Sequence, residues 1–263
     1  MKKRLFKIIF RSLGLFLLLV SGFVALMLNP QMLYAKKTSY KQATVYYQDL
    51  YPSSFDQSLE QAFELTRKSE LCDTSFRFHI FMNDGRSVSP ILKKLLGDAF
   101  AWGYYNNVVL SGKMDAANQF IELNGRQRHF ARTLAHEMIH DLQARRFGLF
   151  HSRPLKNIPL WKWEGYPEYI AYRSSVKDEK KILLDNITRL VSLGDGSWSP
   201  VEIDIDEGKS FAGLDYFRWW LMIKYLVDIR QMRYECILEE DIKYNAVLAG
   251  MLSWYSTELK SKK

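Results

Sequence analysis

Cysteine is nearly absent from this chain: Cys72 and Cys236 are the only two among 263 residues. So few thiols exclude a disulfide-stapled scaffold and a thiolate-rich structural zinc site. The two could pair in an oxidising compartment or remain free thiols, and their positions leave both open. Internal repeats and low-complexity tracts are also missing, which removes solenoids and repeat arrays. No stripe combines Arg and Lys with exposed aromatics, so the net charge of +8 does not point to nucleic acid. That charge is partly local. Lys2, Lys3, Arg4, Lys7 and Arg11 crowd the start, and Lys260, Lys262 and Lys263 crowd the end. A basic surface beside an anionic membrane accounts for it.

Charge itself is missing between Arg11 and Lys36, where SLGLFLLLVSGFVALML (12–28) is almost wholly apolar. Seventeen helical residues span about 25 Å, slightly short of a bilayer core, and the uncharged flank 29–35 can extend it. Five positive charges precede the segment, against three in Lys36, Lys37 and Lys41 that follow it. The positive-inside rule therefore keeps residues 1–11 cytoplasmic, makes 12–30 the transmembrane anchor, and places the rest outside. A cleaved signal peptide shares this layout. Its best cleavage site, Leu33-Tyr34-Ala35, lacks a small residue at the first position.

What is present is the composition of a folded protein, 48% hydrophobic and 14% aromatic. Residues 31–52 read as a linker, and 53–263 as one domain divided into 53–147 and 148–263. A first helix is expected at 58–68. SFRFHIFM (75–82) alternates Phe76, Phe78, Ile80 and Met82 with Ser75, Arg77, His79 and Phe81, a period of two that reads as a strand. His79 then belongs to its more polar face, as a surface histidine, and NDGR (83–86) is the closing turn. FAWGYYNNVVLSGK (100–113) reads as a strand entered through a turn. A helix from about Gln127 to Phe147 ends at Gly148. After a loop with Pro154 and Pro159 comes a shorter helix containing EGYPEYIAY (164–172), and the remainder reads as helical except for VEIDIDEG (201–208). Strands early and helices late imply a predominantly helical α+β fold.

The chemistry concentrates in LAHEMIH (134–140). Residues four apart on a helix stand one above the other, so His136 and His140 aim at one point, as Zn²⁺ requires. Glu137 lies beside that face, where a general base for an activated water belongs. Phe130, Leu134, Met138 and Leu142 form an apolar row, flanked by Ala131, Ala135 and Ile139, that would bury the helix. Such a pattern arises by chance in roughly one chain of this length per few hundred, so it needs a third ligand.

A histidine six residues after His140 would supply one, but Arg146 stands there, with Gln143 where a glycine would be needed. His151 lies in a loop without a partner pattern. His129, seven residues before His136, is about 10 Å up the axis, too far to ligate, and reads as solvent-facing. Glu164 opens the second helix within WKWEGYPEYIAY. Glu168, one turn later, could accept the second N–H of a ligating histidine. Trp161 and Trp163 would wall the pocket.

HEMIH followed two dozen residues later by W-x-W-E-G-x-x-E-Y resembles the gluzincin branch of zinc metallopeptidases, which includes thermolysin-like and aminopeptidase N-like enzymes. The resemblance covers roughly residues 100–172, with a weaker echo at LDYFRWWLMIKYLVD (214–228). It implies a zincin-like domain with His136, His140 and Glu164 as zinc ligands, Glu137 as general base, Glu168 behind a ligand, and a peptide or protein substrate. Gly165 and Tyr169 agree with its Glu-Gly-x-x-x-Tyr form. Pro167 stands where a small residue is usual, and the gap between the two helices is longer than in the best-known enzymes. Tyr216, Tyr169 and Tyr172 are candidates for an oxyanion donor, and the strand at 107–110 for an edge on which a peptide could pair. The expectation is a membrane-anchored, extracytoplasmic zinc metallopeptidase. The alternative is a catalytically inactive binding or regulatory protein of the same form, which would have no need of Glu137.

Overall fold

A computed structural model describes residues 2–83, 89–115, 118–173, 178–193, 201–204 and 209–261. The apolar N-terminal run forms one continuous helix, α1 (Lys2–Leu28). Its stretch Ile9–Leu28 is long and apolar enough to cross a membrane, a property shared with signal sequences, and none of it is buried. Twenty residues at 1.5 Å each give about 30 Å, a full hydrocarbon core. This apolar stretch begins a few residues before the segment 12–30 expected from the sequence.

The segment read as a linker is part of the fold. After a 3-10 turn at Pro30–Leu33 come β1 (Lys36–Tyr40) and β2 (Ala43–Tyr47), paired antiparallel. Ala43 and Val45 are buried, and between them Thr44 points the other way, so β2 has the alternation of a half-buried strand. Next come α2 (Phe55–Arg67), β3 (Phe78–Phe81), α3 (Ser89–Leu96), β4 (Ala101–Tyr104) and β5 (Asn107–Leu110). The single strand expected within 100–113 is therefore a hairpin, turned at Tyr105 with φ 66°. A five-stranded mixed sheet results, in the order β1-β2-β3-β5-β4, with β2, β3 and β5 mutually parallel and β4 antiparallel at the edge.

Both faces of this sheet are covered. Ile80, Val108 and Leu110 point into the main core with α2 and the helix that follows. Phe81 and Val109, one residue out of phase, join Leu92 of α3 in a second cluster, against which Met27, Leu33, Tyr34 and Trp102 pack. His79 is accordingly half-buried, edge-on to the rings of Tyr46 (5.6 Å) and Phe81 (6.4 Å), rather than a surface histidine. The alternation was legible; what covers its second face was not.

Three short strands follow, β6 (Lys113–Asp115), β7 (Phe120–Leu123) and β8 (Arg126–His129), forming an antiparallel sheet. The long helix α4 (Phe130–Phe147) starts only after them, so Gln127 is a strand residue, and Gly148 closes it by donating to the Ala144 carbonyl. The expected apolar row on α4 is buried, but so are His136, Glu137, His140, Asp141 and Gln143. The helix is enclosed on nearly every side. Then come α5 (Leu160–Trp163), α6 (Gly165–Ala171) and α7 (Glu179–Leu193). The acidic stretch is part of a hairpin, β9 (Val201–Asp204) with β10 (Lys209–Ala212). The chain closes with α8 (Leu214–Lys224), a π turn over Tyr225–Ile229, α9 (Tyr234–Glu239) and α10 (Tyr244–Ser261). Residues 84–86 of the expected turn and 205–208 of the acidic stretch lie outside the described residues. The α+β class holds. Cys72 is half-buried, Cys236 is exposed, and both are free thiols.

Candidate metal centre

Two helices build the centre. α4 carries His136 and His140, and the junction between α5 and α6 carries Glu164. His140 Nε2 lies 3.2 Å from His136 Nε2 and 3.2 Å from Glu164 Oε2, and His136 Nε2 lies 3.5 Å from the same carboxylate oxygen. Three atoms bound to one tetrahedral ion at about 2.0–2.1 Å stand about 3.3–3.4 Å apart. The triangle therefore has dimensions that suit a zinc ion, with two imidazoles and one carboxylate as the donors.

The imidazole of His140 is oriented by a residue that sequence reasoning used only to rule out another arrangement. Gln143 gives its amide N–H groups to the Trp163 carbonyl (3.0 Å) and the Tyr234 hydroxyl (2.6 Å). A carbonyl can only accept, so this fixes which end of the amide is nitrogen. The Gln143 oxygen must then face His140 Nδ1, at 2.7 Å, and accept its proton. In the neutral ring this leaves the lone pair on Nε2, the nitrogen nearest His136 and Glu164. The three-residue helical spacing from His140 was the available signal.

His136 has a weaker counterpart. Its Nδ1 faces Glu168 Oε1 at 3.7 Å, longer than a hydrogen bond, and has no other partner among the described residues. Glu168 is itself gripped by Arg128 of β8, whose terminal nitrogen reaches both carboxylate oxygens at 2.9 and 3.0 Å. Nothing in the sequence announced Arg128, because β8 reaches α6 only through the tertiary fold.

Charge in the centre is balanced for a cation. Burial alone would lower the His136 pKa, but the nearby carboxylates of Glu168, Glu164 and Glu137 lift it to about 10. For Glu164, burial pushes upward and the two histidines prevail, holding the carboxyl well below its usual range. Arg128 and His136 likewise overcome burial and lower Glu168. Glu137 goes the other way: burial raises its pKa, against the pull of His136 and His140.

The close packing around the centre has two glycine contacts. A Cβ at Gly165 would stand 2.8 Å from Ile223 Cγ1 and 2.9 Å from the Trp219 carbonyl, so the residue after Glu164 lets α6 lie directly on α8. A Cβ at Gly103 would overlap the Glu137 carbonyl, so β4 runs against α4 at the centre itself.

A cleft of about 780 Å³ opens on these groups, lined by His136, Glu137, His140, Glu164, Glu168 and Tyr216. The size suits a peptide or other extended ligand. No protein-family model, curated protein or solved structure matches the chain.

Among the expected accessory residues, the structure separates the three tyrosines. Tyr216 lines the cleft with its ring 6.3 Å from that of His136, and burial followed by Glu164 raises its pKa. Tyr169 is instead committed to Asp228 (2.6 Å) and Tyr172 to Ser210 (3.0 Å). Trp163 walls the cleft and stacks on His140 at 6.1 Å, whereas Trp161 packs on Tyr244. His129 is buried at the β8–α4 junction, edge-on to Phe120, rather than solvent-facing, because the chain passes there from sheet to helix beneath β10. His151 is exposed at the end of a 3-10 turn. The strand at 107–110, β5, lies between β3 and β4 and has no free edge; the edge is β4, and all four of its residues line the cleft.

Proposed function

We propose that this chain is a gluzincin-like zinc metallopeptidase, held in a membrane by α1 with its catalytic domain on the extracytoplasmic side. The observation that carries this is the His136–His140–Glu164 triangle, with its zinc-like separations and a base beside it. Bound there, Zn²⁺ would supply Lewis acidity, polarising a scissile carbonyl and acidifying a water. His136, His140 and Glu164 would hold the ion, and Gln143 would keep His140 in the ligating tautomer. Glu137 faces the same space from the adjacent helical position. Its raised pKa suits a base that takes a proton from water and returns it to the leaving amine. The Tyr216 hydroxyl, at the cleft wall, is the donor available to the developing oxyanion. An extended peptide can pair with the open edge of β4, which presents backbone groups beside Glu137. The five basic residues in the first turns of α1, before its uncharged run, favour a cytoplasmic N-terminus, which supports the orientation.

Metal analysis of the full chain, beside Glu164→Ala and Glu137→Gln, tests this. We expect about one zinc per chain in the parent and in Glu137→Gln, and loss of zinc in Glu164→Ala. A denatured protein library should be cut by the parent alone. Undiminished zinc affinity in Glu164→Ala would overturn the ligand assignment. Zinc retention with no parent cleavage would favour a binding role.

A further inference from the structure

The cleft has a second end, far from the histidines in sequence. There its walls are Phe23, Val24, Met27 and Leu28 of α1, facing Leu95 and Leu96 of α3. The α1 residues are the last two turns of the apolar stretch Ile9–Leu28. Phe23 precedes Leu28 by five positions, so it lies about 7.5 Å deeper along the helix axis. If α1 spans the bilayer, this end of the cleft sits at the depth of the outer headgroups and first acyl carbons.

Two independent features agree with that placement. α3 leaves Leu95 and Leu96 57% and 64% exposed, beside exposed Lys93 and Lys94. Apolar side chains next to lysines suit a segment lying in an anionic membrane surface. The end of α1 is also fixed to the catalytic domain. The last carbonyls of a helix lack intrahelical partners, and Tyr104 of β4 donates its hydroxyl to that of Met27 at 2.9 Å. Met27 also packs on the Phe81–Leu92–Val109 cluster. The strand that borders the metal centre thereby also contacts the end of α1, which keeps this end of the cleft beside the apolar helix.

We propose that the cleft takes the membrane-proximal stretch of polypeptides anchored in the same bilayer by their own apolar helix. This rests on the peptidase reading. A chain leaving the membrane beside α1 enters at the lipid end and runs along β4 toward His136 and Glu137. An extended chain of ten residues reaches about 33 Å, so the first ten or so residues outside a span are the ones presented. A peptide in bulk water meets a cleft whose far end is closed by lipid.

The test uses the full chain in vesicles of phosphatidylcholine and phosphatidylglycerol. The substrate is a single-span polypeptide whose outer tail carries a randomised ten-residue cassette. The cassette either abuts the span or is displaced by thirty Gly/Ser residues. Both forms share the bilayer, so co-localisation is equal and only distance differs. We expect the abutting cassette to be cut at least ten-fold faster. Equal cutting at both distances overturns the proposal and leaves the peptidase reading standing. A second arm is independent of catalysis: Glu137→Gln protein with a photoreactive residue replacing Leu96 should crosslink the abutting tail and not the displaced one. Crosslinking of neither, or of both equally, overturns the proposal even if nothing is cut. Zinc content, measured in parallel, reports on the metal centre alone.

Discussion

Gln143 Oε1 accepts the Nδ1 proton of His140 at 2.7 Å, and so decides which imidazole nitrogen faces Glu164. The pair lies three residues apart on α4, yet its effect depends on partners 20 and 91 positions from Gln143, Trp163 and Tyr234. Outer partners of metal-ligating histidines typically contribute 10–100-fold to affinity. Gln143→Leu should therefore weaken zinc binding about ten-fold or more while leaving the ligands in place. Competition with a chelator of known affinity reads this; unchanged affinity would remove Gln143 from the centre.

Arg128 matters to the same centre through Glu168. Arg128→Met would leave that carboxylate buried without its cation, a loss of about 3–5 kcal/mol. The double variant Arg128→Met/Glu168→Gln removes the uncompensated charge and should recover part of the loss. Urea denaturation of the two single variants and the double measures the coupling. Simple additivity would mean that the two side chains do not act together.

Gly103 has no room to grow. Gly103→Ala forces its Cβ against the Glu137 carbonyl, which belongs to the backbone and cannot rotate away. Overpacking of this kind costs about 1–3 kcal/mol. β4 should also shift off α4, so cleavage should fall more than zinc content does. If thermal stability and turnover both match the parent, β4 does not border the centre as described.

His129 should leave a mark on acid stability. Burial, with Arg132 adding to it, lowers its pKa from 6.5 to about 4. Above pH 6.5 the ring is neutral in folded and unfolded chains and contributes no pH dependence. Between 6.5 and about 4 the unfolded chain takes up a proton that the folded one resists, so stability falls as the pH falls. His129→Gln should flatten the profile in that window. Melting temperatures measured from pH 7.5 to 4 test it; an unchanged slope would assign the acid limb to other groups.

How far each part could be read in advance follows the range of the interaction. His136, Glu137 and His140 share one helical face, a property of spacing alone. Glu164 could be named from local context, since an acidic residue between paired tryptophans and a glycine stands out. The reason for Gly165 is the approach of α8, more than fifty residues away. The strand β3 is recognisable by its period, whereas residues 36–47 read as linker because two five-residue strands carry too weak a signal to stand apart from a polar connection. The start of α4 at Phe130 rather than about Gln127 has the same origin: β8 is polar and short, and only pairing with β7 makes it a strand.

What the chain's order of residues determined by itself is therefore local: the apolar run of α1, the period-two face of β3, and the stacking of two histidines one turn apart. Each depends on neighbours within a few residues, where backbone geometry alone sets which side chains coincide. The tertiary structure decided the rest. It made β4 rather than β5 the open edge, set Arg128 behind Glu168, buried His129, and placed the end of α1 in the wall of the cleft. Those outcomes depend on which surfaces exclude water together, and that is a property of the packed whole rather than of any one segment.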